Sequence, residues 1–243
     1  MSKKILLLGG TEEARELAEA LDEAGADFVV SLAGRTAATY PGNMRVGGFG
    51  GVEGLAETIR ADAFEVVVDA THPFAANMSV NAKAAAKRAK VPYYRLERRP
   101  WRRAASDRWI DVDSLEDAAE RLDSGSTVFL AVGAGGLAPF LPRRDLNLVV
   151  RAIEEPDLGN RRDIVVIQQR GPFDIEDERA LWDKYAFDAL VTKNSGGEAA
   201  GAKLVVARER RTLVYMVRRP RRQPWPSAHD AERMMRKLRR FLR

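Results

Sequence analysis

The chain has 243 residues, 45% hydrophobic and 31% charged, which suits an ordinary soluble protein with one large core or two small ones. It contains no cysteine and two histidines, so disulfides, thiolate chemistry, and thiolate or histidine-rich metal centres are excluded. A net charge of +5, with arginines gathered at residues 95–108 and again beyond residue 208, leaves three readings: a nucleic-acid surface, a pocket for small anions, or solvated helix faces.

In chain order, residues 5–8 form an apolar run expected to be a strand, followed by Gly9-Gly10-Thr11 and a helical pattern over 12–24. Strands are expected at 28–32, 66–68 and 93–96, with helices over 52–61 and 77–89. After the charged segment "ERRPWRRAASDRW" the pattern starts afresh: a helix over 115–122, then strands at 127–132, 146–150, 164–168, 189–192 and 213–217. Alternation of short β runs with helices predicts an α/β protein of two doubly wound, Rossmann-like lobes with mainly parallel sheets and a cleft between them. The lobes are expected at 1–100 and 101–243. In the tail, Met234, Leu238, Phe241 and Leu242 make an apolar stripe at helical spacing, with arginines on the other side. No uncharged apolar stretch is long enough to span a bilayer and no signal-peptide pattern opens the chain, so a cytoplasmic location without membrane attachment is expected.

Several turns carry residues suited to ligands. Gly9 and Gly10 allow close backbone approach, and Thr11 can cap the following helix while its amides face an anion. Glu12 fits the helix dipole but would repel a phosphate beside it, and a plain strand-to-helix turn remains an alternative. At the end of the second strand, "SLAGRTA" offers Ser31, Arg35 and Thr36 where an NAD-binding domain places a carboxylate on the ribose, which favours the 2′-phosphate of NADP; alone, Arg35 would read as a surface arginine. The third strand ends in "DATHPFAAN", where Pro73 holds His72 extended beside Thr71. For His72, cofactor contact, a general-acid role and a structural hydrogen bond all stay open. In the second lobe "VTKNSGGEAAGAK" supplies Lys193, Asn194 and Ser195, with Gly196 and Gly197 expected to present amides at the start of a helix. No metal site and no nucleic-acid motif is found.

Together, "GGTEEARELA", "DATHPFAANMSVNA", "YYRLERRPW", "VGAGG", "RAIEEP", "GPFDIEDE" and "VTKNSGG" fall in the order of the precorrin-6A reductase family of cobalamin biosynthesis, which the chain resembles over nearly its whole length. The resemblance implies an NADP-dependent oxidoreductase acting on a C=C bond, using NADPH to convert precorrin-6A to precorrin-6B. It places the cofactor over Gly9, Gly10, Thr11, Glu12, Ser31 and Arg35, with Thr71 and His72 near the nicotinamide; the sequence shows no unmistakable acid, and His72 is the candidate, with water or a substrate carboxyl as its rival. The substrate it implies is a polycarboxylate tetrapyrrole, with Arg95, Arg98, Trp101, Lys193, Asn194, Ser195, Gly196 and Gly197 as its contacts. Neighbouring enzymes of the corrin pathway are a further partner class that the resemblance admits. The alternatives are a cobalt-precorrin-6A reductase and a non-catalytic NADP-binding sensor.

Overall fold

The computed structural model describes residues 3–34, 39–198, 200–221 and 224–242. The chain divides into two compact units, one of Met1–Arg99 with Pro220–Arg243, the other of Pro100–Arg219. Each is built on its own parallel sheet with helices on both faces, the α/β class that the alternating pattern predicts.

In the first unit β1 (Ile5–Leu8), α1 (Glu12–Glu23), β2 (Phe28–Leu32), β3 (Asn43–Val46), α2 (Gly51–Ala61), β4 (Val66–Asp69), α3 (Ala76–Ala89) and β5 (Tyr93–Arg95) follow one another, and the strand order is β3-β2-β1-β4-β5. β1 sits at the centre, and its side chains alternate between two cores. Ile5 and Leu7 pack with Leu17 and Leu21 of α1 on one face; Leu6 and Leu8 pack with Leu55 of α2 and Ala82 of α3 on the other. Burial on both faces is why these strands are unbroken apolar runs rather than alternating ones. The order reverses between β1 and β4, so the turns after those two strands diverge and leave a crevice at their carboxyl ends.

The second unit holds β6 (Trp109–Val112), α4 (Leu115–Arg121), β7 (Thr127–Ala131), β8 (Asn147–Ala152), β9 (Val165–Gln168), α5 (Ile175–Tyr185), β10 (Ala189–Lys193), α6 (Ala202–Glu209) and β11 (Leu213–Val217), in the order β6-β11-β10-β7-β8-β9. Its core is aromatic: Phe129 stacks on Phe187 at 5.0 Å and meets Trp182 edge-on at 5.5 Å. The Trp182 indole N–H is not left unpaired, since it donates to Thr212 Oγ1 at 2.8 Å. Here the switch point lies between β7 and β10.

The expected second lobe of 101–243 is corrected at its end, because Pro220–Arg243 belongs to the first unit. Asp230 caps α7 (Ala231–Leu238), and Met234, Leu238 and Phe241 are buried in the same core as Leu17 and Leu21. The apolar stripe was legible in the sequence, but its partner is α1. Among the described residues, no helix is long and apolar enough to cross a membrane.

Candidate functional site

The turn after β1 is built from short-range contacts. Gly9 is confined, since a Cβ there would stand 3.0 Å from Val30 Cγ1, while Gly10 has φ +110° and open space where a Cβ would be. Only glycine combines that backbone with an unobstructed approach. The Thr11 hydroxyl accepts from the Ala14 N–H (3.1 Å) and donates to the Ala70 carbonyl (2.9 Å), so it caps α1 and ties the turn to the end of β4. Tyr40, which the sequence reading missed, lies beneath: its hydroxyl accepts from the Gly10 N–H (3.1 Å) and donates to the Thr11 carbonyl (3.3 Å). Glu12 is exposed in the first turn of α1, and neighbouring Glu13 pairs with Arg98 at 2.8 Å.

Beside this turn a pocket opens at the carboxyl ends of β1, β2 and β4, lined by Gly9, Ser31, Gly47, Phe49, Thr71 and Met78 among others. Ser31 is buried at its edge, as expected for a residue at the end of β2. Arg35 and Thr36 lie outside the described residues. Arg45 of β3 was not singled out from the sequence, and it reaches the pocket edge: its Nη1 donates to Ser31 Oγ at 3.3 Å.

Thr71 and His72 follow β4 as a fixed turn. Asp69 Oδ1 accepts from both the Thr71 N–H (3.0 Å) and the Thr71 hydroxyl (2.6 Å). His72 Nδ1 accepts from the Phe74 N–H at 3.2 Å, so the neutral imidazole carries its proton on Nε2. The structural hydrogen bond that the sequence left open is therefore present, and it fixes the tautomer that a proton donor at Nε2 requires.

Arg95 departs from the macrocycle contact expected of it. It is wholly buried, with Nη1 on Asp69 Oδ2 (2.6 Å) and on Ser79, and with Nε on Glu97 Oε2 (2.9 Å). Tyr93 donates to Asp69 Oδ2 at 2.8 Å, and burial pushes its phenol well above the usual range, so it stays protonated. His229 Nδ1 donates to the Glu97 carbonyl at 2.9 Å. The guanidinium is thus a counter-charge inside the first unit, supporting the Thr71–His72 turn through Asp69.

In the second unit the expected residues do gather. The Trp101 N–H donates to Asn194 Oδ1 (2.8 Å), its indole N–H donates to the Gly197 carbonyl (2.8 Å), and Asn194 Nδ2 donates back to the Trp101 carbonyl (3.2 Å). Arg219 donates to the carbonyls of Asn194 and Ser195, both at 2.8 Å. Lys193 Nζ donates to the Val132 carbonyl at 3.2 Å, across the switch point between β7 and β10. Burial lowers the Lys193 ammonium from its ordinary value. One expectation is corrected: Gly196 and Gly197, with φ +72° and +84°, do not open a helix, and α6 begins at Ala202. Left-handed backbone cannot continue into a first helical turn, so the anion site of a helix N-terminus is absent from these two glycines.

If this turn meets the polycarboxylate macrocycle that the resemblance implies, Lys193→Met weakens its binding about tenfold, the worth of one charge-assisted hydrogen bond. It should also alter the pH dependence of stability. Because folding lowers this pKa, the unfolded chain binds more protons between the lowered value and 10.5, so wild-type stability gains from Lys193 as pH rises through that window. The variant should lack this gain in urea titrations compared at pH 7 and pH 10.

A family model described as precorrin-6x reductase CbiJ/CobK matches residues 4–239. The precorrin-6A reductase of Rhodococcus erythropolis is 45% identical, covering 93% of this chain and 92% of that protein. The cobalt-precorrin-6A reductase of Priestia megaterium is 33% identical, covering 89% and 91%. A solved structure of CobK precorrin-6A reductase superimposes with a TM-score of 0.92 at 36% identity, over 98% of this chain and 97% of that one. Agreement in sequence and backbone across nearly the entire length bears out the resemblance carried by the seven motifs: the chain belongs to the precorrin-6x reductase CbiJ/CobK family.

Proposed function

We propose that the chain reduces precorrin-6A to precorrin-6B in cobalamin biosynthesis, with NADPH as reductant. The observation that carries the metal-free substrate is the ordering of relatives: those named precorrin-6A reductase are 45, 39, 38 and 41% identical, whereas those named cobalt-precorrin-6A reductase are 33, 30 and 28% identical.

The residues of the first unit fit a dinucleotide. Gly10 leaves open space above the turn, a purine has apolar wall in Leu8, Leu32, Phe49 and Met78, and Ser31 stands in the place of the carboxylate that would repel a 2′-phosphate. Gly9, Gly10 and Thr11 would hold the pyrophosphate, with Glu12 at the rim, and Ser31 and Arg35 the adenosine ribose. When bound, NADPH supplies a hydride equivalent. The protein orients the reacting carbons and delivers a proton to the carbon next to the one reduced. His72 holds that proton at Nε2, and Asp69 fixes the turn that carries it. In the second unit Lys193, Asn194, Ser195 and Trp101 present cation, amide and indole to a polycarboxylate macrocycle, and Arg98 is a further contact candidate of the first unit.

The test is anaerobic oxidation of NADPH by the purified protein with precorrin-6A, with its cobalt form, or with no macrocycle. Consumption with the metal-free compound and little with the cobalt form is the expected result. Preference for the cobalt form would move the chain to the anaerobic route. Binding of NADPH without consumption in any arm would make it a sensor.

A further inference from the structure

We infer that Arg45, together with Ser31, forms the seat that selects a 2′-phosphorylated adenosine, an inference that rests on the dinucleotide reading above. The register of the first sheet places Arg45 directly beside Ser31 on neighbouring parallel strands, so both side chains rise on the same face. The Arg45 guanidinium lies 4.0 Å from the centre of the Phe49 ring, with Nη1 bonded to Ser31 Oγ (3.3 Å) and to the Gly47 carbonyl (3.4 Å). Stacking and those two bonds hold the fork in one orientation.

Its charge is unanswered. Among the described residues no carboxylate pairs with Arg45, and its Nε and Nη2 donate to no described group, while Arg88, Arg98 and Arg151 each have a carboxylate partner. A guanidinium held at a pocket edge with donors to spare, next to a buried hydroxyl, is suited to a phosphate dianion. The location is also specific. The end of β2 is where NAD-binding domains carry an acid for the ribose hydroxyls, and replacing that acid by Ser31 removes the group that would repel a 2′-phosphate. Gly47 and Gly48 line the same pocket, and a Cβ on either would meet nothing within 4 Å, so the approach to Arg45 is open.

A purely structural Arg45, bracing Phe49 and the loop into α2, would affect adenosine ligands with and without the 2′-phosphate alike. Calorimetric titration of the full chain with 2′,5′-ADP and with 5′-AMP, which differ by that phosphate alone, separates the two roles without requiring turnover. Wild type is expected to bind 2′,5′-ADP at least tenfold more tightly. Arg45→Ala should erase most of that ratio, roughly a tenfold loss or more, while changing 5′-AMP affinity by less than about threefold. Arg45→Lys, which keeps a charge but loses the planar fork, should recover part of the preference and serves as the readout if the alanine variant folds poorly. Retention of the ratio in Arg45→Ala, or its loss in Arg35→Ala with Arg45→Ala unaffected, overturns the assignment to Arg45. Absence of any preference in the wild type overturns the NADPH reading and this assignment with it.

Discussion

Arg95→Ala is expected to lower the free energy of unfolding by about 3–5 kcal/mol, the usual result of removing one partner from a buried ion pair. The guanidinium has no exposed surface and faces two carboxylates, Asp69 at 0% and Glu97 at 6% exposure. Without it, Tyr93 and Thr71 still donate to Asp69, but both buried carboxylates lose the guanidinium that they share. Urea denaturation of wild type and variant reads the deficit directly, and a loss below about 1 kcal/mol would mean that water or rearrangement replaces the guanidinium. Neutralising the carboxylates in the same background, with Asp69→Asn and Glu97→Gln, should restore much of the deficit, because the cost lies in the uncompensated charges rather than in lost packing.

This network also shows where sequence patterns lose their reach. β1, β4 and β10 were legible because a strand covered on both faces must be almost wholly apolar, and Ile5–Leu8 and Val66–Val68 have no other use for such residues. β3 was missed since it is an edge strand: Asn43, Met44 and Val46 are exposed, leaving no apolar run to read. β6, another edge, hides in "DRWIDV", where charged residues flank and interrupt the apolar ones. The stripe of α7 announced a buried face, yet a stripe carries no address, and its docking on α1 emerges only in three dimensions.

The site divides along the same line. Gly9, Gly10, Thr11 and Ser31 could be read because turn chemistry is local, and each sits where its type predicts. Arg95 in "YYRLERR" looks like its neighbours, and nothing local separates the arginine that folds inward onto Asp69 from Arg98, which pairs with Glu13. A signal did exist on the other side of the pair. Asp69 ends a fully buried central strand, where a lone carboxylate would be costly, so a buried cation had to be close by. Tyr40 and Arg45 gave no such hint: each acts on the pocket from the stretch between β2 and α2, in which the sequence alone showed no element.

His72 leads to the second large effect. His72→Ala is expected to lower turnover of precorrin-6A by about 10²-fold or more, within the range usual for a positioned general acid, while leaving NADPH affinity within a few-fold of wild type. Two roles are entangled in the alanine variant, since it loses both the ring and the acceptor that receives the Phe74 N–H. His72→Asn separates them. The Asn carbonyl oxygen can stand in for Nδ1 and keep the Phe74 bond and the turn, but the side chain offers no group that titrates near neutrality. If proton delivery is the function, His72→Asn should be as slow as His72→Ala. If the ring merely braces the turn, His72→Asn should recover most of the wild-type rate. Thr71→Val completes the argument from the opposite direction, because it removes the hydroxyl bonded to Asp69 but keeps the Thr71 N–H bond and the ring itself. Its turnover should drop less than that of either His72 variant, with the wild-type pH profile intact, as befits a residue that positions the acid without being one.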